Sequence, residues 1–143
     1  MSKVLNDLIE SLKCLPGVGP KSATRMAYYL LQRDPDGAEN LANSILNSFK
    51  HLGKCKSCNN FCETTVCDLC SDNGRDNSVL CVIEMPTDLL MFEQTHSYNG
   101  LYYILMGRLS PLDGIGPKEL AMNSLYERCK DENIKEVIIA TNF

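Results

Sequence analysis

No stretch of this chain approaches the roughly 18 consecutive apolar residues that a membrane-spanning helix requires, so a helical membrane span is excluded. The first residues also lack a long apolar segment behind basic ones, and Asp7 and Glu10 interrupt what apolar character there is. A secretory signal is therefore not read there, and the expected compartment is the reducing cytoplasm. Histidine is scarce, with only His51 and His96, and a metal site built on imidazole is not expected. Residues 54 to 77 hold few aliphatic side chains and are rich in Cys, Asn, Asp and Ser, which rules out a self-supporting core in that stretch. Something other than burial has to hold it. What the chain does have is cysteine, eight in 143 residues, and without an export signal their paired spacing reads as metal binding rather than disulfides.

The net charge is −4, which opposes wholesale nucleic-acid binding, but the charge is unevenly spread. Residues 1 to 33 carry Lys3, Lys13, Lys21, Arg25 and Arg33 against Asp7 and Glu10, a net +3, whereas residues 82 to 143 carry five basic and nine acidic side chains, a net −4. Phosphate contact is expected at the first end.

Three helices are predicted in residues 1 to 53. The first runs from 3 to about 13 on Leu5, Leu8, Ile9 and Leu12. The second opens at Pro20 and carries a buried stripe of Ala23, Met26, Ala27, Leu30 and Leu31. The third runs from near Asp36 to Leu52 on Ala38, Leu41, Ala42, Ile45, Leu46 and Phe49, after the Asp34-Pro35-Asp36-Gly37 break. Residues 78 to 143 alternate short apolar runs, Val79–Ile83, Leu101–Leu105 and Glu136–Thr141, with amphipathic segments, one opened by Pro86 and one ending near Asn133. That alternation predicts β-α-β-α-β with parallel strands joined by right-handed crossovers. The expected class is α+β in three parts: a helical module at 1–53, a cysteine module at 54–77 and an α/β part at 78–143.

Cys55-Lys-Ser-Cys58 and Cys67-Asp-Leu-Cys70 are two C-x-x-C knuckles, each able to aim two thiolates at one tetrahedral centre. One zinc ion is expected there. Four sulfurs leave no open position for water, so the role is structural. Cys62, between the knuckles, reads as a spectator that could replace a neighbour if a ligand were oxidised. Cys14, Cys81 and Cys129 read as small core residues.

Between the first two helices lies Leu15-Pro-Gly-Val-Gly-Pro-Lys-Ser-Ala23, where Gly17 and Gly19 allow a tight hairpin whose backbone N–H groups can meet a phosphate. At about 100° per residue, Lys21, Arg25 and Gln32 fall opposite the apolar stripe, so Lys21 and Arg25 flank the hairpin as a clamp. The arrangement resembles the helix-hairpin-helix motif, which binds DNA backbones without reading sequence. A similar string, Gly114-Ile-Gly-Pro-Lys118, follows a strand rather than a helix and reads as a loop entering a helix.

Glu84 follows the first strand directly, with Asp88 one helical turn on, where ligands bind in open α/β sheets. The placement resembles the Toprim domain of topoisomerases, primases and related nucleases, in which a strand-end glutamate works with a D-x-D pair to hold magnesium. Here that pair is missing. The position resembling its first aspartate is Asn142, and the chain ends at Phe143. A scaffold is expected rather than a magnesium-dependent nuclease or primase, which stays as the alternative.

In this order the hairpin at Leu15–Ala23, the four cysteines, Val82-Ile-Glu84, Leu109-Ser-Pro-Leu-Asp-Gly-Ile-Gly-Pro117 and Glu136–Asn142 are similar to the bacterial recombination mediator family RecR across the whole chain. The resemblance implies a non-enzymatic, nucleoid-associated DNA-repair protein. It implies a ring-like homo-oligomer that works with RecO, and in some settings RecF, to load recombinase on single-stranded DNA. Carried over by residue, Lys21 and Arg25, with Gly17 and Gly19, are the expected DNA contacts, Cys55, Cys58, Cys67 and Cys70 the zinc ligands, and Glu84 with Asp88 a partner surface. The family continues beyond the Asn142 position, so a shortened member with an incomplete sheet and a partial oligomer is expected. A module that binds only protein partners is the remaining alternative.

Overall fold

The structure, a computed structural model, describes residues 2–108 and 110–142. Leu109 and Phe143, both named above, lie outside the described residues. The chain divides into two compact units, Met1–His51 and Leu52–Phe143.

The first unit holds α1 (Lys3–Leu12), α2 (Pro20–Gln32) and α3 (Pro35–His51), close to the expected bounds. Proline opens both α2 and α3, where its missing N–H costs nothing because the first-turn donors have no intrahelical acceptor. The Asp34 side chain accepts the Gly37 N–H at 2.9 Å and caps the start of α3. Ile9, Ala23 and Ala27 are buried, with Leu5, Leu8, Leu12 and Val18 packed on them. The small residues of α2 let α1 approach closely. The expected stripe is only partly buried, because Leu31 is 57% exposed and α3 has no buried residue. Cys14 corrects the core reading: it is exposed, since it falls in the turn past the end of α1 rather than on its apolar face.

The second unit starts with a small hairpin, β1 (Gly53–Lys54) paired antiparallel with β2 (Phe61–Cys62), and the short α4 (Asp68–Ser71). It continues as β3 (Asp76–Ile83), α5 (Pro86–Thr95), β4 (Gly100–Ile104), α6 (Met122–Cys129) and β5 (Glu136–Ala140). The three long strands are all parallel, in the order β4-β3-β5. The β-α-β-α-β expectation holds, although α6 is shorter than predicted and ends at Cys129.

With the first strand in the middle, one right-handed crossover leads to each side, and the two helices must cover opposite faces. The packing agrees. Leu80, Val82, Leu101, Tyr103 and Leu105 form one core with Met122, Leu125 and Cys129 of α6, while Cys81, Ile83, Leu89, Tyr102 and Ile104 form another with Phe92 of α5. The central strand is therefore apolar on both faces, as parallel sheets require. β5 is the open edge, with Val137, Ile138 and Ile139 each exposed by 38% or more.

The cysteine segment is stitched to this sheet. Ile104 donates its N–H to the Cys58 carbonyl at 2.9 Å, and Asn59 Nδ2 donates to the Ile104 carbonyl at 2.7 Å, so the first knuckle covers the end of edge strand β4. At the other end Arg75 donates from Nη1 to the Gly100 carbonyl at 2.9 Å, pairs with the Glu93 carboxylate and lies over the Tyr102 ring, whose hydroxyl donates to Glu93 Oε1 at 2.7 Å. Both flanks of the polar segment are thus held by the sheet, which explains how it belongs to a compact unit with few aliphatic residues of its own.

Candidate functional site

The sulfur atoms of Cys55, Cys58, Cys67 and Cys70 all lie within 4.8 Å of one another, and Cys58 and Cys67 are 3.5 Å apart. A tetrahedral zinc with bonds of about 2.3 Å sets its sulfurs roughly 3.8 Å apart, so the donor set fits one ion with four thiolates and no vacant position. Three of the four are buried. Although burial raises the Cys55 thiol, N–H groups of Cys67, Cys58 and Ser57 lower it to about 6. Cys67 is pushed up to about 11, first by burial, and Cys58 is raised by its hydrogen bond with Cys70 and by burial. Four anions cannot crowd together without a cation, so in the metal-free cluster most thiols keep their protons, and zinc binding must release them. The set is the only group of three or more Cys, His, Asp or Glu side chains close enough to hold a metal among the described residues. His51 lies outside it.

At the hairpin, Val18 donates to the Leu15 carbonyl at 3.1 Å, closing a turn in which Gly17 takes φ +77°. Gly19 instead has ordinary extended geometry, with φ −86° and ψ 178°, and caps α2 without a side chain. A Cβ built on it meets nothing within 4 Å. Sequence reasoning gave both glycines one role; the backbone separates them, the first serving the turn and the second leaving open space. The first backbone bond into α2 is Ala23 N–H to the Gly19 carbonyl at 2.9 Å, so the N–H groups of Gly19, Lys21 and Ser22 find no acceptor among the described residues. Lys21 and Arg25 are exposed and form no ion pair among the described residues, whereas Lys13 is engaged with Glu10 at 2.6 Å. Open donors at a helix N-terminus beside two exposed cations are the chemistry that suits a phosphate.

The second glycine string differs. Gly116 N–H is already taken by the Glu119 carboxylate at 2.8 Å, and Ser110 bridges to Ile115 in a closed loop. A phosphate arriving there meets an anion, which agrees with its reading as a loop entering a helix.

Glu84 is buried at the end of β3, between the two diverging crossovers, and Asn142 Nδ2 donates to its Oε2 at 3.3 Å. The strand-end pair read from sequence is thus brought together. Asp88 is not part of it. Its Oδ2 accepts the Met85 N–H at 2.9 Å, capping α5, because an acid three residues past the helix start is best placed to do so. Glu84 lines a cavity of about 580 Å³ on the α6 side with Arg108, Leu120, Leu125 and Ile139, while Asp88 lines one of about 520 Å³ on the α5 side. Asn142 reaches both. Sequence reading missed Arg108, whose position depends on a loop with no periodic signal.

The architecture defines a class: a helix-hairpin-helix module, a four-cysteine zinc finger and a Toprim-type α/β sheet in one chain. Family models match in that order, the RecR helix-hairpin-helix over residues 5–48, the RecR four-cysteine zinc finger domain over 52–72 and the Toprim domain over 78–143. The chain belongs to the RecR family, and its role lies in DNA recombination and repair. No helix among the described residues is long and apolar enough to cross a membrane.

Proposed function

We propose that this chain is a non-enzymatic recombination mediator that grips DNA through its backbone without reading sequence. The observation that carries the reading is the start of α2, where N–H groups without an acceptor among the described residues meet the exposed Lys21 and Arg25. Such contacts position a protein on polynucleotide but carry no base information. Binding measured on oligonucleotides of unrelated sequence is expected to agree within a few-fold, and to weaken steeply as salt rises. A strong preference for one sequence, or salt-insensitive binding, overturns the reading.

The two hairpin glycines supply a sharper check. Gly17→Ala forces a side chain into left-handed geometry and is expected to destabilise the helical unit by about 1–2 kcal/mol. Gly19→Ala meets no steric obstacle and is expected to cost less than Gly17→Ala, only the poorer N-cap of alanine, while weakening DNA binding several-fold, since the methyl group stands where a phosphate approaches. Unchanged affinity in Gly19→Ala removes the helix N-terminus from the interface.

The three parts 1–53, 54–77 and 78–143 then act as DNA grip, zinc-held connector and partner platform. Glu84 at the strand-end crevice, with Asp88 beside the neighbouring cavity, is assigned to contacts with RecO, with RecF as a further partner, in loading recombinase on single-stranded DNA. A ring-like homo-oligomer is supported by the exposed apolar positions of α3, Leu41, Ile45, Leu46 and Phe49, which one chain leaves uncovered.

Support for the non-enzymatic reading comes from the donor set around Glu84. One carboxylate beside an amide is a poor magnesium site, because the ion favours charged oxygen ligands and an octahedral shell. Magnesium-dependent cleavage of single- or double-stranded oligonucleotides is expected to match the buffer blank for the protein and for Glu84→Gln alike. Cleavage lost in Glu84→Gln restores the Toprim nuclease reading.

A further inference from the structure

Five sulfur atoms gather around a centre that needs four. Cys62 packs against Cys55, Cys58 and Cys67, yet it is outside the set that lies mutually within 4.8 Å. The register of the small hairpin explains the placement. Gly53 pairs with Cys62 and Lys54 with Phe61, and Cys55 N–H continues the ladder to the Asn60 carbonyl at 2.7 Å. Side chains two residues apart on a strand share a face, so Cys55 and Cys62 are diagonal neighbours on one face of the hairpin. Gly53, the direct cross-strand partner of Cys62, has no side chain to stand between them. The Cys62 thiol meanwhile donates to the Thr64 carbonyl at 2.8 Å, which holds it beside the cluster as a neutral group. It also lines a groove with Leu52, Phe61 and Cys67, so solvent reaches it more readily than the buried ligands.

We propose that Cys62 is a reserve ligand of the zinc centre, taking the coordination position of Cys55 when that sulfur is lost. The proposal rests on the zinc reading above. In such an exchange the Cys55–metal bond would break and the freed Cys55 sulfur would take up a proton, while Cys62 would lose its S–H proton to solvent and its hydrogen bond to Thr64 and bind the metal in that place. The four-sulfur shell is restored with no change in oxidation state. β2 is only two residues long and Cys62 is its last residue, so a small shift of that strand end brings the sulfur inward without disturbing the three-stranded sheet. Among the described residues Cys62 is the one further cysteine packed on the cluster, and the hairpin places it diagonal to Cys55 rather than Cys70, which makes Cys70 an internal control.

The test uses the full chain in four variants, Cys55→Ser, Cys70→Ser, Cys62→Ser and Cys55→Ser with Cys62→Ser. Each is measured for zinc per chain by elemental analysis. Each is also measured for its cobalt(II) charge-transfer absorption, whose intensity rises with the number of thiolate ligands. Cys55→Ser is expected to keep about one zinc and a four-sulfur cobalt spectrum, whereas the double variant falls to a three-sulfur spectrum and binds zinc at least tenfold more weakly. Cys62→Ser alone is expected to match the unaltered protein. If Cys55→Ser is as metal-poor, or as poorly folded, as Cys70→Ser, or if its spectrum equals that of the double variant, the reserve role is wrong. Absence of zinc from the unaltered protein is a different failure, and removes the zinc reading together with the proposal.

Discussion

Stripping the zinc with a chelator is expected to unfold residues 52–75 and to release the end of β4 with them. Metal binding in isolated zinc modules is worth roughly 10–16 kcal/mol, as large as the whole stability of an ordinary domain, so a segment without an aliphatic core cannot hold its shape after the loss. The consequence reaches the sheet through two named bonds, Ile104 N–H to the Cys58 carbonyl and Asn59 Nδ2 to the Ile104 carbonyl. Hydrogen exchange should therefore show the Ile104 amide losing protection in the metal-free protein, while Leu105, which donates to the Ile83 carbonyl inside the sheet, loses less. Cys58→Ser should reproduce the effect, because Cys58 is 1% exposed and its carbonyl is the one that Ile104 meets. Acid acts in the same direction, since protons compete with zinc for the thiolates. Retained Ile104 protection after complete metal removal refutes the coupling.

Replacing Lys21 and Arg25 together by Ala is expected to weaken DNA binding about 100-fold at low salt. Each charge-assisted contact contributes about 1.5 kcal/mol at the low end of its range, and about 1.4 kcal/mol is a factor of ten. The salt dependence is the more specific readout. Two fewer phosphate contacts should reduce the slope of log affinity against log salt by roughly 1.8 on duplex DNA. Both side chains are exposed and unpaired among the described residues, so the melting temperature should not move. A loss of affinity with an unchanged slope shows that the variant has lost something other than phosphate contacts.

Much of the candidate site was legible because its signals are local. The C-x-x-C spacing brings two sulfurs together whatever the rest of the chain does, and Pro20 behind a glycine turn announces a helix start with open donors. Glu84 was legible as a strand-end acid because five apolar residues in a row precede it. Burial was less legible. The apolar period of α3 is present, but the positions it marks stay uncovered in one chain, since periodicity says that a face is apolar and not what it meets. What Asp88 touches was not legible for a similar reason: its spacing of four residues from Glu84 does not say which backbone N–H a carboxylate will reach, and it accepts that of Met85.

From the residues alone came the element types, the four zinc ligands and the cationic helix start, all of them set by neighbours a few positions apart, while the amide in place of an aspartate came from the resemblance to Toprim domains. Tertiary structure alone decided the strand order β4-β3-β5, the meeting of Glu84 with Asn142 across 58 residues, and the seat of the first cysteine knuckle on the end of β4. Those depend on which strand edges pair and which faces are left for the helices. A one-dimensional pattern of polar and apolar residues is compatible with more than one such pairing.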